Sequence, residues 1–346
     1  MKAAPLVRVF TKKSECRVQL VHTGQHYDLA MSDTFFRDLN LPQPDVNLDV
    51  GSGSHAAQTA EIIKRFEVVC LRERPNWVVV VGDVNSTMAC AIVAAKLGVK
   101  VAHVEAGLRS FDRTMPEEIN RLVTDALSDL HFTHSRDADE NLKREGIDTT
   151  KIKFVGNIMI DALISQLDKA REKEFLKQRG FGERNFVYVT LHRPSNVDVE
   201  QSLRCIMERL AEVARQMPVV FPMHPRTKKM CEQFRITLPS SKGFYAIDPI
   251  GYHDSLSLAE HARFVLTDSG GLQEETTFFR TPCLTLRQNT ERPVTVTMGS
   301  NQLTSIDRLR NDMVALLEKP ARFGTIPPLW DGKTAERIVG HLLAMD

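Results

Sequence analysis

Trp77-Val78-Val79-Val80-Val81-Gly82-Asp83 and Val99-Lys100-Val101-Ala102-His103-Val104-Glu105 decide the fold. Each is an apolar run of strand length that ends in an acid. Between them Ser86 to Leu97, rich in Ala and Met, reads as a helix. Strand, helix and strand in that order make a β-α-β unit with parallel strands. Asp83 and Glu105 then both leave the carboxyl ends of parallel strands, the edge where open α/β sheets bind ligands. A single acid there often only caps a helix. Two on consecutive strands favour proton exchange with a bound molecule.

The same alternation extends in both directions. Arg17–Val21, Leu130–Thr133 and Ile152–Val155 read as strands, and Gln58–Arg72 and Glu117–Leu127 as helices, the latter with Pro116 at its first turn. The charged run Lys169–Phe175 reads as exposed helix near a boundary. A second series follows, with strands at Phe186–Thr190, Pro218–Met223, Arg263–Thr267 and Cys283–Leu286 and a helix at Ser202–Gln216. The pattern predicts an α/β protein of two doubly wound, Rossmann-like domains with an interdomain cleft. The expected division is residues 1–161, residues 162–325, and a C-terminal helix in 326–346 that packs back on the first domain.

Bulk properties agree. The 346 residues, 42% of them hydrophobic, suffice for two cores. Lys and Arg total 45 against 44 acids, so nothing marks a nucleic-acid partner. No apolar run approaches membrane-spanning length, and the start lacks an apolar signal core. The six cysteines show no Cys-x-x-Cys spacing and read as reduced thiols of a cytoplasmic protein. The histidines show no metal-ligand spacing, so neither metal nor cofactor is expected.

Three further constellations carry chemistry. Thr114-Met115-Pro116-Glu117-Glu118-Ile119-Asn120-Arg121 puts acids in a first helical turn, where the dipole alone favours them, but a short loop from Glu105 brings them near the same edge. Thr267-Asp268-Ser269-Gly270-Gly271-Leu272-Gln273-Glu274-Glu275 ends a strand, lets the backbone approach a ligand and starts a helix whose amides can hold a diphosphate. Glu275, one turn in, is placed to accept from ribose hydroxyls. His192-Arg193-Pro194 and His224-Pro225-Arg226, each after a strand, make a donor-rich rim, joined by Thr290-Glu291-Arg292-Pro293.

Together with Thr23-Gly24-Gln25-His26, His103-Val104-Glu105-Ala106-Gly107-Leu108-Arg109 and Gly156-Asn157, these runs resemble the non-hydrolysing UDP-N-acetylglucosamine 2-epimerases across nearly the whole chain. The resemblance implies a GT-B-type fold, a homodimer, and interconversion of UDP-GlcNAc and UDP-ManNAc for surface polysaccharide synthesis. The implied reaction is anti elimination of UDP to 2-acetamidoglucal followed by re-addition. It implies catalytic roles for Asp83, Glu105, Glu117 and His224. It implies UDP contacts at Lys2, His192, Arg193, Ser269, Gly270, Gly271, Glu275 and Arg292.

The resemblance also places Lys2-Ala3-Ala4-Pro5-Leu6-Val7 inside the helix that follows the family's first strand and its Gly-Thr-Arg-Pro-Glu loop. Loss of that central strand is expected to leave a gap with unpaired backbone groups. Gln25 and His26 match a site where bacterial members bind a second UDP-GlcNAc as activator. Val50–His55 lacks the arginine that accompanies it. The competing readings are a hydrolysing 2-epimerase releasing ManNAc and UDP, a GT-B glycosyltransferase, and an inactive UDP-sugar-binding remnant.

Overall fold

The computed structural model describes residues 1–24, 41–172, 175–240, 242–318 and 324–345. Gln25 and His26 lie outside them. Two compact units form, Met1–Ala162 with Pro328–Asp346, and Leu163–Pro327.

The first unit begins with helix α1 (Ala3–Phe10) and the short strands β1 (Val21–His22) and β2 (Val46–Asn47). There follow α2 (His55–Glu73), β3 (Trp77–Val81), α3 (Asn85–Lys96), β4 (Lys100–Val104), α4 (Pro116–Leu127), β5 (Leu130–Thr133), α5 (Arg136–Arg144), β6 (Ile152–Phe154) and the start of α6 (Ile158–Glu172), which belongs to the second unit from Leu163 on. Ser54 caps α2 by accepting from the Ala57 amide, and Arg74 ends it in a left-handed conformation. The parallel sheet β3-β4-β5-β6 carries the two opening runs, paired from Trp77↔Lys100 to Val81↔Val104. Side chains of β3 alternate: Val78 and Val80 join a core with Ile62, Phe66 and Val69 of α2, while Val79 and Val81 pack against a second core holding Leu6 of α1.

β1 and β2 form a separate two-stranded parallel sheet. The strand expected over Arg17–Val21 is therefore reduced to Val21–His22. Its pairing with the β2 segment starts only at Leu20, whose carbonyl accepts from the Asp45 and Val46 amides. No strand covers its other edge among the described residues.

The second unit holds β7 (Val187–Thr190), α7 (Glu200–Ala214), β8 (Val219–Pro222), α8 (Pro225–Gln233), β9 (Phe244–Ile247), α9 (Tyr252–His261), β10 (Phe264–Thr267), α10 (Gly270–Phe279), β11 (Cys283–Leu286), β12 (Asn301–Thr304) and α11 (Ile306–Glu318). Its six-stranded parallel sheet runs β12-β11-β10-β7-β8-β9. This is the doubly wound order, with the switch point between β7 and β10. β9 and β12 were not legible as strands: Asn301-Gln302-Leu303-Thr304 has no apolar run, and β9 has little buried surface.

The chain ends in α12 (Thr334–Leu343), whose Ile338 and Leu342 pack in the core with Leu6 and Phe132 of the first unit. The Asp161 carboxylate accepts from the Thr334 and Ala335 amides, and the Trp330 indole donates to the His134 carbonyl. Gly156, at φ +95°, leaves room for the Leu329 carbonyl, which a Cβ there would meet at 2.1 Å. Gly156→Ala is expected to lower stability by roughly 2–4 kcal/mol in denaturant titration. Gly340→Ala, in open space on α12, should be neutral or stabilising by up to about 1 kcal/mol.

Candidate active site

The carboxyl edge of the first unit's sheet gathers several charges. Glu105 follows β4, is almost fully buried, and sits at φ +70° although it is not glycine. Such a conformation costs on the order of 1–3 kcal/mol and persists only where surroundings impose it. Its Oε2 receives a 2.5 Å ion-paired hydrogen bond from Lys2 Nζ, and its Oε1 is buried without a partner. Gly82, at φ +75°, adjoins both: a Cβ there would lie in ordinary contact, 3.6 Å from Glu105 Oε2 and from Lys2 Nζ. Asp83 accepts from Arg121 at 2.5 Å, and its carbonyl accepts from Asn120 at 2.9 Å. The adjacent acids on α4 separate. Glu118 is buried on Arg121 and on the Ser110 and Phe111 amides. Its burial is outweighed by these donors, so its pKa is lowered. Glu117 is half-buried and has no hydrogen-bond partner among the described residues.

Asp125, on the inner face of α4, holds the loops at the ends of both strands. Its carboxylate accepts from His103 Nδ1 at 2.6 Å, the Gly107 amide at 3.0 Å and Arg109 at 2.7 Å. His103, fully buried, donates its other ring nitrogen to the Gly82 carbonyl at 2.8 Å. Both ring nitrogens face acceptors, the arrangement of an imidazolium. Burial disfavours that charge, but Asp125 outweighs it and the His103 pKa is raised. Burial likewise opposes the Asp125 charge, yet His103 and Arg109 hold its pKa down at about 2.

The second unit repeats this device at its switch point. Asp268, after β10, is fully buried and accepts from the His192 and Arg193 amides, from Asn196 Nδ2 and from His192 Nδ1. Burial opposes its charge, but His192 and these donors outweigh it and lower its pKa. The His192 and His224 rings lie 5.5 Å apart. His224 Nδ1 accepts from the Arg226 amide, capping α8, so the neutral ring carries its proton on Nε2. Burial and the neighbouring His192 lower its pKa. Ser269 is the N-cap residue of α10 without capping it through its side chain, and Gly270 and Gly271 are half-exposed beside it. A Cβ on Gly270 would strike Arg292 at 2.8 Å. Arg292 is itself buried, on Glu291 and Glu274. Glu275 is buried one turn into α10, and burial, with the charge of Glu274, pushes its pKa up to about 8.

Residues 8–343 match the family model described as UDP-N-acetylglucosamine 2-epimerase. The chain belongs to that family. It is 42% identical to the UDP-N-acetylglucosamine 2-epimerase of Methanocaldococcus jannaschii, over 98% of this chain and 94% of that protein. It is 41% identical to the UDP-2,3-diacetamido-2,3-dideoxy-D-glucuronate 2-epimerase of Pseudomonas aeruginosa, over 99% and 96%. The crystal structure of the M. jannaschii enzyme in complex with UDP-GlcNAc and UDP superposes with a TM-score of 0.89, covering 99% of this chain and 96% of that one. The expected fold class, two Rossmann-like domains of GT-B type, is thus that of the family.

Of the residues singled out from the sequence, Lys2, Asp83, Glu105 and Glu117 surround one sheet edge, and His192, Arg193, His224, Ser269, Gly270, Gly271, Glu275 and Arg292 belong to the other unit. What the sequence reading of this 2-epimerase fold passed over are the organising residues His103, Asp125, Arg121 and Asp268. His103→Ala strips Asp125 of one charge partner while leaving it buried. It is expected to cost about 3–5 kcal/mol in denaturant unfolding, since an ion pair broken on one side leaves the other charge uncompensated. The pair's contribution should fade as pH falls from about 4 toward the Asp125 value of about 2.

Proposed function

We propose that this chain catalyses the reversible 2-epimerisation of UDP-GlcNAc and UDP-ManNAc. Family membership and the similarity to 2-epimerases support the reaction class. The observation that carries the reading in this chain is Glu105, buried, held in a left-handed backbone and aimed by Lys2 at the sheet's carboxyl edge. The C2 hydrogen of the sugar is not acidic, so its removal must be coupled to departure of UDP. A carboxylate takes the C2 proton, the C1–O bond breaks with its electron pair leaving on UDP, and C1=C2 forms. Addition of UDP to C1 and protonation of C2 on the opposite face completes inversion. One base and one acid are required, and Asp83, Glu105 and Glu117 are the candidates. His224, with its proton on Nε2, and the amides at Ser269–Gly271 serve the charge that grows on the diphosphate. In this reading Lys2, His192, Arg193 and Arg292 complete the UDP contacts. Glu275 receives the ribose hydroxyls. Gln25 and His26 remain the proposed activator site.

The 41% identity to an enzyme named for a 2,3-diacetamido glucuronate makes the C3 and C6 substituents of the sugar the specificity question. Both nucleotide sugars carry the C2 centre on which the mechanism acts. The reading extends to a cytoplasmic homodimer that supplies surface polysaccharide precursors. Resemblance supports that extension, and sedimentation measures the mass.

Proton NMR in D₂O with UDP-GlcNAc, and separately with the diacetamido uronate, tests the reaction. UDP-ManNAc with deuterium at C2 in both epimers is expected. Free ManNAc with UDP would instead establish the hydrolysing reading, and UDP binding without turnover the remnant. Glu105→Gln should lower kcat by roughly 10²–10⁴ while sparing UDP affinity, and a fully active variant would remove Glu105 from the mechanism. Glu275 tests the other unit. Its raised pKa means the folded state favours the protonated acid, so stability is greatest below the usual carboxylate range and falls as pH rises toward about 8. Glu275→Gln should therefore raise the ligand-free Tm at pH 7–8 by a few degrees and weaken UDP binding, read by thermal shift and calorimetry.

A further inference from the structure

The loop between β4 and α4 holds three residues with positive φ: Glu105 at +70°, Gly107 at +77° and Phe111 at +56°. Glycine takes this conformation freely, but for an aromatic residue it is an outlier. Arg74 and Arg280 adopt it where helices end, an ordinary use. Phe111 ends no helix. It is also the most exposed large hydrophobic side chain among the described residues, 74% accessible. Neither packing nor backbone preference accounts for phenylalanine at this position.

The backbone beneath the ring is fixed. The Phe111 amide donates to Glu118 Oε1 at 2.9 Å, and the Ser110 amide and hydroxyl donate to Glu118 Oε2 at 3.0 and 3.1 Å. Further on, the Asp112 carboxylate accepts from the Thr114 amide and hydroxyl, and the Asp112 carbonyl from the Met115 amide. Glu118 pairs with Arg121, and Arg121 with Asp83. The buried pair that locates Asp83 thus also locates Phe111, on the edge that gathers the carboxylates. A ring on a rigid backbone loses little freedom on binding, so strain and exposure in the free chain point to a ligand that covers it. An aromatic face takes the C–H face of a pyranose out of water. Its negative quadrupole also suits the positive charge that grows at C1 as the diphosphate departs.

We propose that Phe111 is a specificity residue whose ring covers the sugar of the bound nucleotide sugar and favours it over UDP alone. This rests on the epimerase reading of the same edge.

The test is calorimetric titration with UDP-GlcNAc and with UDP, on the unaltered chain, on Phe111→Gly and on Phe111→Tyr. In Phe111→Gly the affinity for UDP-GlcNAc should fall roughly fivefold or more while that for UDP stays within about twofold. Its Tm should lie no more than about 2 °C below the unaltered chain, because little packing is lost and glycine accepts the left-handed backbone. Phe111→Tyr should keep the original ratio of affinities. An unchanged ratio in Phe111→Gly overturns the proposal. So does an equal loss of UDP affinity, which makes the loop a structural support of the site. So does a drop in molar mass, because the ring then covers a second copy of the chain. Phe111→Asn, which also accepts this backbone, takes the place of the glycine variant if that variant lacks a cooperative unfolding transition. The affinity ratio does not depend on turnover. Failure of the epimerase reading is seen separately, as an unaltered chain that leaves UDP-GlcNAc unchanged in D₂O.

Discussion

A buried aspartate at the sheet's carboxyl edge is the constraint on which each unit's site depends. In the first unit Asp125 has no access to water, so its charge must be met by protein donors. The donors it finds are His103, the Gly107 amide and Arg109, which belong to β4 and the loop after it. Through the second nitrogen of His103 the constraint reaches the Gly82 carbonyl and so the loop after β3. One charge on α4 thereby fixes the backbone from which both Asp83 and Glu105 project. The strained backbone of Glu105 is tolerable because its neighbours on either side are held in this way.

Asp268 repeats the arrangement with different partners. It collects two amides of the β7 loop, a side-chain amide and an imidazole, and so ties the end of β10 to the end of β7 across the switch point. The result is a rim rich in donors whose own acid is already neutralised. Glu275 shows the opposite economy. It is buried beside Glu274 with its pKa raised, a site that weakens the ligand-free fold as the acid ionises. Asp125 and Asp268 have their charge met by several fixed donors, while Glu275 has the Tyr252 hydroxyl against burial and the neighbouring Glu274.

This division explains what was legible beforehand. Runs such as Trp77–Val81 and Phe264–Thr267 announce buried parallel strands, because both faces must be apolar. The position of Asp83 and Glu105 at the sheet's carboxyl edge was readable, because each follows an apolar run of strand length. Asp125 was not, because within Glu117–Leu127 it looks like any helix acid, and its partners lie 16 and 22 residues upstream. Residue pattern alone does not separate Glu117 from Glu118; the family resemblance singles out Glu117. Only the position of Arg121 and the Ser110 amide shows which one is enclosed. Asp268 stood in a quoted motif, yet its role depends on a loop 75 residues away.

The two units differ in the continuity of their sheets. In the second, a six-stranded sheet buries Val187 and Val189 of β7 in the cluster on one face and Tyr188 of the same strand on the other. In the first, the apolar side chains fall into separate clusters on the two faces of β3, and among the described residues β3 pairs with β4 alone. Cooperativity in α/β folds comes from strands that share both neighbours, so β1 and β2 are coupled to the rest mainly through α2 and side-chain bonds such as Thr23 to Ser86 at 2.8 Å. β3 leads directly into Gly82 and Asp83, beside Lys2. At that edge the Asp125 network ties the loop after β3 to the end of β4 through His103, which bridges Asp125 and the Gly82 carbonyl.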